Sequence, residues 1–190
     1  FADSSSAAVF AVSELAARHV KVALSGDGGD ELFGGYYTYQ ADKLARMYRR
    51  LPRVLSAGLL PKLVNLLPTS DRKASLDFKL KRFVQGALQA PLPAHFAWKA
   101  FFSEDMKAEL YWPANGNGNG HRHGPRPSVQ LLQEHFDRYE SDDLLNRLLY
   151  VDTKVQLVDD MLTKVDRMSM AHSLEVRVPL LDLRLVQFMA

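Results

Sequence analysis

The sequence contains no cysteine, no long apolar run and no marked excess of either charge. Without cysteine the chain has no disulfide framework, no thiolate metal site and no cysteine nucleophile. No run approaches the roughly 18 apolar residues that a transmembrane helix needs. The 24 lysines and arginines stand against 22 acids, a formal net charge of +2. The charge balance therefore gives no reason to expect nucleic acid or a membrane surface as a partner.

The composition is that of a folded protein. Of the 190 residues, 47% are hydrophobic, which is enough to bury a core. This length corresponds to about one domain or to part of a larger one. Because the chain begins at Phe1 and stops inside the apolar run LVQFMA, we expect it to be a piece of a longer protein.

The first 24 residues read as a helix followed by a strand. Ser4–His19 fits a helix with Asp3 or Ser4 as its N-cap and with Phe10, Leu15 and the neighbouring alanines on the buried side. VKVAL, residues 20–24, is short and β-branched and ends at Ser-Gly, so it predicts a strand. A strand directly after a helix indicates an α/β unit with a parallel sheet. No other strand is as clear, so we expect the partners of this one to lie outside the chain.

The remaining sequence is mostly helical. Residues 52–67 predict a helix broken near Pro61, and residues 75–88 and 103–110 predict two more. PANGNGNGHRHGPRP, residues 113–127, has the composition of a mobile surface loop.

The stretch LSGDGGDELFGG, residues 24–35, combines a glycine-rich turn with Asp27, Asp30 and Glu31 and has no lysine. It fits neither the EF-hand spacing nor a Walker A loop. An ordinary strand-to-helix turn would explain the glycines and a capping acid. The alternative is a nucleotide site in which a carboxylate holds Mg²⁺, since Mg²⁺ is bound by one or two carboxylates together with substrate phosphate oxygens.

A second informative segment, LVDDMLTKVDRMSMAHSLEVRVPLLD, spans residues 157–182. Leu157, Met161, Val165 and Met168 recur at helical spacing and predict one apolar face. On another face Asp160, Lys164 and Arg167 form a charged stripe, which by itself is typical of solvated ion pairs. LEVRVP then alternates and precedes a proline, so it predicts an extended segment with Glu175 and Arg177 on one side.

Two motifs, SGDGGDELFGGY (residues 25–36) and KVDRMSMAHSLEVRVPLLD (residues 164–182), together closely resemble the synthetase domain of glutamine-dependent asparagine synthetases. The resemblance implies an α/β, adenine-nucleotide-hydrolase-like fold of the ATP pyrophosphatase type, of which this piece is mostly helical with one or few parallel strands. It implies a cytoplasmic enzyme, compatible with a homodimer, that uses ATP and Mg²⁺ to adenylate the side-chain carboxylate of aspartate. Ammonia, delivered from glutamine by a separate glutaminase domain, then displaces AMP.

The resemblance also implies roles for individual residues. Asp30 matches the metal-binding aspartate, and Asp27 matches the acid proposed as the base in the amide-forming step. The turn beside the nucleotide corresponds to Ser25, Gly26, Gly28 and Gly29. Either Lys164 or Arg167 would supply positive charge to the pyrophosphate, and the family has lysine where this chain has Arg167.

Glu175, Arg177 and Asp182 are interpreted as bracing residues. Two family features have no counterpart in the sequence: the pyrophosphate-binding loop SGGxDS and the N-terminal cysteine that hydrolyses glutamine. We therefore expect residues 1–190 to be a partial synthetase domain that is inactive alone. Two alternatives stay open, namely a related synthetase that acts on another carboxylate and a non-catalytic interaction module of the same fold.

Overall fold

A computed structural model describes residues 3–68, 75–110 and 127–189 of the chain. The loop predicted at residues 113–127 lies outside this part except for Pro127. The described chain divides into two compact units. The first contains the residues up to Tyr36 together with those from His135 onward, and the second runs from Tyr37 to Glu134.

The described residues form mainly helices, with two short strands. In chain order the elements are α1 (Ser6–Ala17), β1 (Val22–Leu24), α2 (Gly29–Phe33), α3 (Tyr37–Tyr48), a π-helix (Val54–Leu59), α4 (Leu60–Asn65), α5 (Leu76–Gly86), α6 (Pro91–Lys99), α7 (Glu104–Leu110), α8 (Ser128–Arg138), α9 (Leu144–Lys154), a second π-helix (Gln156–Leu162), α10 (Thr163–Met170), β2 (Glu175–Arg177), a 3₁₀ turn (Pro179–Leu181) and α11 (Leu183–Met189). The prediction of a mostly helical chain with a small parallel sheet is confirmed. No helix in the described ranges is long and apolar enough to cross a bilayer.

The two strands pair with each other in parallel. Val22, Ala23 and Leu24 stand opposite Glu175, Val176 and Arg177, respectively. The expectation that β1 would find its partners only outside the chain is therefore wrong. The partner lies about 150 residues further on, in the extended segment predicted before Pro179, and such a long-range pairing is not encoded in local sequence pattern.

Helix α1 packs on α10. Ser13 is 4% exposed, whereas Phe10 and Leu15 are 42% and 58% exposed. The prediction that Phe10 and Leu15 lie on the buried side is wrong, because both side chains are exposed and Ser13 is the buried residue of this helix.

The segment before α10 departs from regular α-helix. Gln156–Leu162 is a π-helix, and the Thr163 hydroxyl donates to the Val158 carbonyl at 2.8 Å. After α10 the chain reverses in a Schellman motif: Leu174 N–H donates to Ser169 O at 3.1 Å and Ser173 N–H to Met170 O at 3.0 Å. Ser173 occupies the left-handed position, with φ 55°. This turn directs the chain into β2.

The second unit is helical around a buried polar pair. His95 Nδ1 on α6 lies 2.6 Å from Asp42 Oδ2 on α3, and both side chains are under 10% exposed. The ring of Tyr39 stacks on His95 at a centroid distance of 5.4 Å. Tyr39 is thus a core residue of this unit.

Candidate active site

The acid-bearing loop begins at the carboxyl end of β1. Ser25 N–H donates to the carbonyl of Arg177 at 2.9 Å, which extends the sheet pairing by one residue and joins the first motif to the second. The Ser25 hydroxyl donates to Asp27 Oδ2 at 2.5 Å, and Asp27 N–H points back to Ser25 Oγ at 3.4 Å. These two hydrogen bonds between Ser25 and Asp27 hold the half-buried Asp27 carboxylate at the end of the strand.

Two glycines of the loop lie against leucines of the second motif. Gly28 has φ +85°, and a Cβ at this position would overlap the side chain of Leu181. A Cβ at Gly29 would come within 2.9 Å of Leu180 Cδ1. A Cβ at Gly26, by contrast, would have no atom within 4 Å. Gly28 and Gly29 are therefore required for packing within this chain, whereas Gly26 borders open space.

Asp30 lies in the first turn of α2 with its side chain exposed. Gly34 takes a left-handed conformation, φ 67°, at the end of this helix, and Gly35 N–H donates to Asp30 O at 3.1 Å. A Cβ on Gly35 would overlap Asp30 Oδ1. The turn thus folds back on Asp30, and the carboxylate rests against the bare α-carbon of Gly35.

Glu31, the neighbour of Asp30, is buried at 2% exposure. Its Oε1 accepts a hydrogen bond from the Tyr36 hydroxyl at 2.6 Å. The pKa of Tyr36 is raised well above its ordinary value, first by burial and then by the hydrogen bond to Glu31 and by the charge of that carboxylate. Tyr36 therefore stays protonated and serves as the donor. This pair was not predicted from the sequence, although the sequence does place an acid and an aromatic residue five positions apart around a Gly-Gly turn.

Lys164 on α10 is held by the segment that precedes α1. Its ammonium lies 2.5 Å from Asp3 Oδ2, 2.9 Å from Ser5 Oγ and 3.4 Å from Met161 Sδ, which occupies the three donors of a lysine. The side chain is 7% exposed. The hydrogen bond from Lys164 is the main cause that lowers the pKa of Asp3 to about 2.

The charged stripe predicted for this helix is only partly a solvated face. Arg167 is exposed, as that reading requires, but Lys164 is buried and pairs with Asp3. The pKa of Asp160 is raised, first by burial and then by the nearby charge of Asp3. Lys164 therefore does not form the solvated ion pairs that are typical of such a stripe, because its partner Asp3 lies 161 residues away in the sequence.

The structure brings some of the predicted site residues together and leaves others apart. Ser25 and Asp27 are bonded directly, and the loop that carries them contacts the strand and turn of the second motif. Within the described ranges, no hydrogen bond or ion pair joins Lys164 or Arg167 to this loop. The bracing role of Asp182 agrees with its contacts, because its carboxylate accepts the N–H of Arg184 at the start of α11 at 3.0 Å. Glu175 and Arg177 form an exposed ion pair on β2 at 2.8 Å.

The comparisons with known proteins decide the family. The asparagine synthase family model matches residues 1–190, the whole chain. The chain belongs to the asparagine synthase family. The relatives it matches include asparagine synthetase [glutamine-hydrolyzing] 1 of Bacillus subtilis (strain 168), at 34% identity over 182 residues, which are 95% of this chain and 26% of that protein. No solved structure matches the chain significantly.

Two further relatives have similar names. A putative asparagine synthetase [glutamine-hydrolyzing] of Mycobacterium bovis is 30% identical over 184 residues, 95% of this chain and 25% of that protein. A second putative asparagine synthetase [glutamine-hydrolyzing], from Methanocaldococcus jannaschii, is 47% identical over 55 residues, 29% of this chain and 11% of that protein. The chain thus spans about a quarter of the length of the first two relatives. Members of the asparagine synthase family are ligase-type enzymes, and the resemblance carried by the two motifs is confirmed.

Proposed function

We propose that this chain is the carboxyl-terminal part of the synthetase domain of an ATP-dependent amidotransferase that converts aspartate into asparagine. The observation that carries the proposal is the contact between the two motifs. Ser25 bonds to Arg177, and Gly28 and Gly29 lie against Leu181 and Leu180, so segments about 150 residues apart build one loop cluster. That cluster includes Asp27 and the start of the helix that carries Asp30.

The position of the cluster supports the finer fold assignment. In open α/β sheets, ligands bind beyond the carboxyl ends of parallel strands. Asp27 and Asp30 follow the carboxyl end of β1, and β1 pairs in parallel with β2. We therefore assign an adenine-nucleotide-hydrolase-like fold of the ATP pyrophosphatase type. The SGGxDS loop and the glutaminase domain would be supplied by further sequence of the complete enzyme.

The residues present fit a magnesium ion that is shared with a nucleotide. Asp30 offers an exposed carboxylate, and Mg²⁺ needs only one or two carboxylates when phosphate oxygens complete its shell. Such an ion would neutralise negative charge that develops on the departing pyrophosphate. Among the described residues, no group of three or more His, Cys, Asp or Glu side chains could hold a metal ion by itself, so the ion at Asp30 would depend on the nucleotide for further ligands.

In the proposed reaction, the substrate carboxylate displaces pyrophosphate from the α-phosphorus of ATP and forms an acyl-adenylate. Ammonia then attacks the acyl carbon and AMP leaves. Asp27 would accept the proton that the attacking nitrogen releases, because its Oδ2 is held by Ser25 while no hydrogen bond within the described residues engages Oδ1. Positive charge for the pyrophosphate is assigned to Arg167 and not to Lys164. The donors of Lys164 are all used, whereas Arg167 is exposed and unpaired in the described chain, and its guanidinium fork suits phosphate.

The experiment that tests this proposal measures carboxylate-dependent release of pyrophosphate by the full-length protein that carries this segment. Ammonium replaces glutamine as the nitrogen donor, so the glutaminase reaction is not needed. A panel of carboxylates with aspartate, glutamate and short peptides supplies the acceptor. We expect aspartate alone to give pyrophosphate, AMP and asparagine in equal amounts. Turnover of another carboxylate would replace the substrate assignment, and failure of every carboxylate would favour a non-catalytic protein.

A further inference from the structure

Adjacent acids of α2 occupy opposite environments. Asp30 is exposed, whereas Glu31 is 2% exposed and receives the Tyr36 hydroxyl at 2.6 Å. Consecutive residues of a helix point about 100° apart, so a helix that is fixed on one side presents the other side in a fixed direction. A buried carboxylate is costly unless it is hydrogen-bonded, which makes the Tyr36 hydroxyl the partner that allows Glu31 to stay inside.

The turn between Glu31 and Tyr36 acts on Asp30 from the other side. Gly34 adopts the left-handed conformation, and Gly35 N–H closes back on the Asp30 carbonyl at 3.1 Å. The absence of a side chain at Gly35 leaves the space in which Asp30 Oδ1 lies. The Gly34–Gly35 turn therefore confines both the backbone and the carboxylate of Asp30. The residue after this turn, Tyr36, is itself fixed by its hydrogen bond to Glu31.

We propose that the hydrogen bond between Tyr36 and Glu31, acting through the Gly34–Gly35 turn, positions the carboxylate of Asp30 for a divalent cation. Tyr36 and Glu31 are positioning residues in this account and do not touch the ion. The inference rests on the proposed function, in which Asp30 is the metal-binding carboxylate. A carboxylate that is already held in place loses less freedom on binding, so loss of the anchor should weaken cation affinity.

The test compares Tyr36→Phe with Tyr37→Phe in the full-length protein. Both changes remove one hydroxyl from neighbouring tyrosines, but the Tyr37 side chain is 73% exposed and lies outside the turn. Mn²⁺ serves as the probe, and its binding is followed by electron paramagnetic resonance in the presence of a non-hydrolysable ATP analogue. We expect Tyr36→Phe to weaken Mn²⁺ binding about tenfold, the effect of a lost hydrogen bond of ordinary strength, and Tyr37→Phe to leave it unchanged.

The Mg²⁺ dependence of the reaction rate distinguishes a loss of Asp30 positioning from general damage to the active site. For Tyr36→Phe we expect a higher Mg²⁺ concentration at half-maximal rate and a kcat at saturating Mg²⁺ within about twofold of the native value. Glu31→Gln keeps an oxygen acceptor for the tyrosine and should retain most of the affinity, whereas Glu31→Ala should not. Equal Mn²⁺ affinity in Tyr36→Phe and Tyr37→Phe would overturn the inference.

Two further variants keep the result interpretable. Gly35→Ala displaces the Asp30 carboxylate and leaves the hydrogen bond between Tyr36 and Glu31 in place, so we expect it to weaken Mn²⁺ binding. This variant provides a test even if Tyr36→Phe fails to fold. Native Mn²⁺ affinity in Gly35→Ala would contradict the inference. Asp30→Asn tests the underlying assignment. If Asp30→Asn binds Mn²⁺ as the native protein does, the proposed metal site is wrong. If Asp30→Asn loses the ion but both Tyr36→Phe and Gly35→Ala bind it normally, only the positioning role is wrong.

Discussion

The ammonium of Lys164 lies 2.5 Å from the carboxylate of Asp3, and the two side chains are only 7% and 17% exposed. This pair ties the residues just before α1 to α10, the helix on which α1 packs. Because the ammonium of Lys164 is engaged by Asp3, Ser5 and Met161, we propose Arg167 as the cation for the pyrophosphate.

Removal of Asp3 should be costly because Lys164 would then be a buried charge without its partner. For Asp3→Ala we expect a loss of about 3 kcal/mol in the free energy of unfolding. Glu14→Ala is the control, since Glu14 pairs with Arg18 at 2.7 Å on an exposed part of α1. An exposed pair of this kind contributes about 0.5 kcal/mol. Urea denaturation of both variants measures the difference, and equal losses would contradict the role given to Asp3.

The same pair predicts a pH dependence. The pKa of Asp3 is lowered from 3.8 to about 2, mainly by the hydrogen bond from Lys164. A lowered pKa means that the contribution of this carboxylate is complete above the unfolded value and is lost as the pH falls through the folded value. The difference in stability between the native protein and Asp3→Asn should therefore be constant above about pH 4 and shrink towards pH 2. A difference that grows as the pH falls would have the wrong sign.

The glycine-rich loop offers a matched pair of substitutions. Gly28→Ala forces an alanine into φ +85° and into the space of Leu181, so we expect it to cost about 2 kcal/mol or more in stability. Gly26→Ala meets no atom within 4 Å and should cost less than about 1 kcal/mol. Thermal unfolding of the two variants side by side checks this. If Gly26→Ala proved the more damaging to folding, the packing of Gly28 on the second motif would be wrongly described.

The turn before β2 contains a residue whose backbone is strained. Ser173 has φ 55° at the C′ position of the Schellman motif, where glycine pays no Cβ penalty. Ser173→Gly should raise the free energy of unfolding by about 1 kcal/mol. Ser173→Ala keeps the Cβ and should change it by no more than about 0.5 kcal/mol. A destabilised Ser173→Gly variant would show that the serine side chain contributes more than its backbone costs.

Secondary-structure elements that depend on local residue spacing could be predicted from the sequence. The strand VKVAL, the extended segment before Pro179 and the helix at residues 103–110 are confirmed, the last with Ser103 Oγ accepting Met106 N–H at 3.1 Å. These elements depend on spacing and on neighbours in the chain, which the sequence displays directly.

Contacts between residues far apart in the sequence, and the face of helix α1 that is buried, could not be predicted from local spacing. The pairing of β1 with β2 and the burial of Lys164 by Asp3 depend on residues about 150 or more positions apart. The inward face of α1 was misassigned because hydrophobicity pointed to Phe10 and Leu15, whereas the buried residue of this helix is the polar Ser13. The π-helix at Gln156–Leu162 was missed because an apolar spacing of four residues is compatible with either helix type.

We propose that Asp30 serves the adenylation of aspartate. Aspartate-dependent exchange of labelled pyrophosphate into ATP by the full-length protein measures that step without ammonia or glutamine. Asp105→Asn is the matched control, because Asp105 is likewise an exposed acid in the first turn of a short helix, α7. We expect Asp30→Asn to lower the exchange rate roughly 100-fold or more and Asp105→Asn to leave it at the native value. Native exchange in Asp30→Asn would contradict the account.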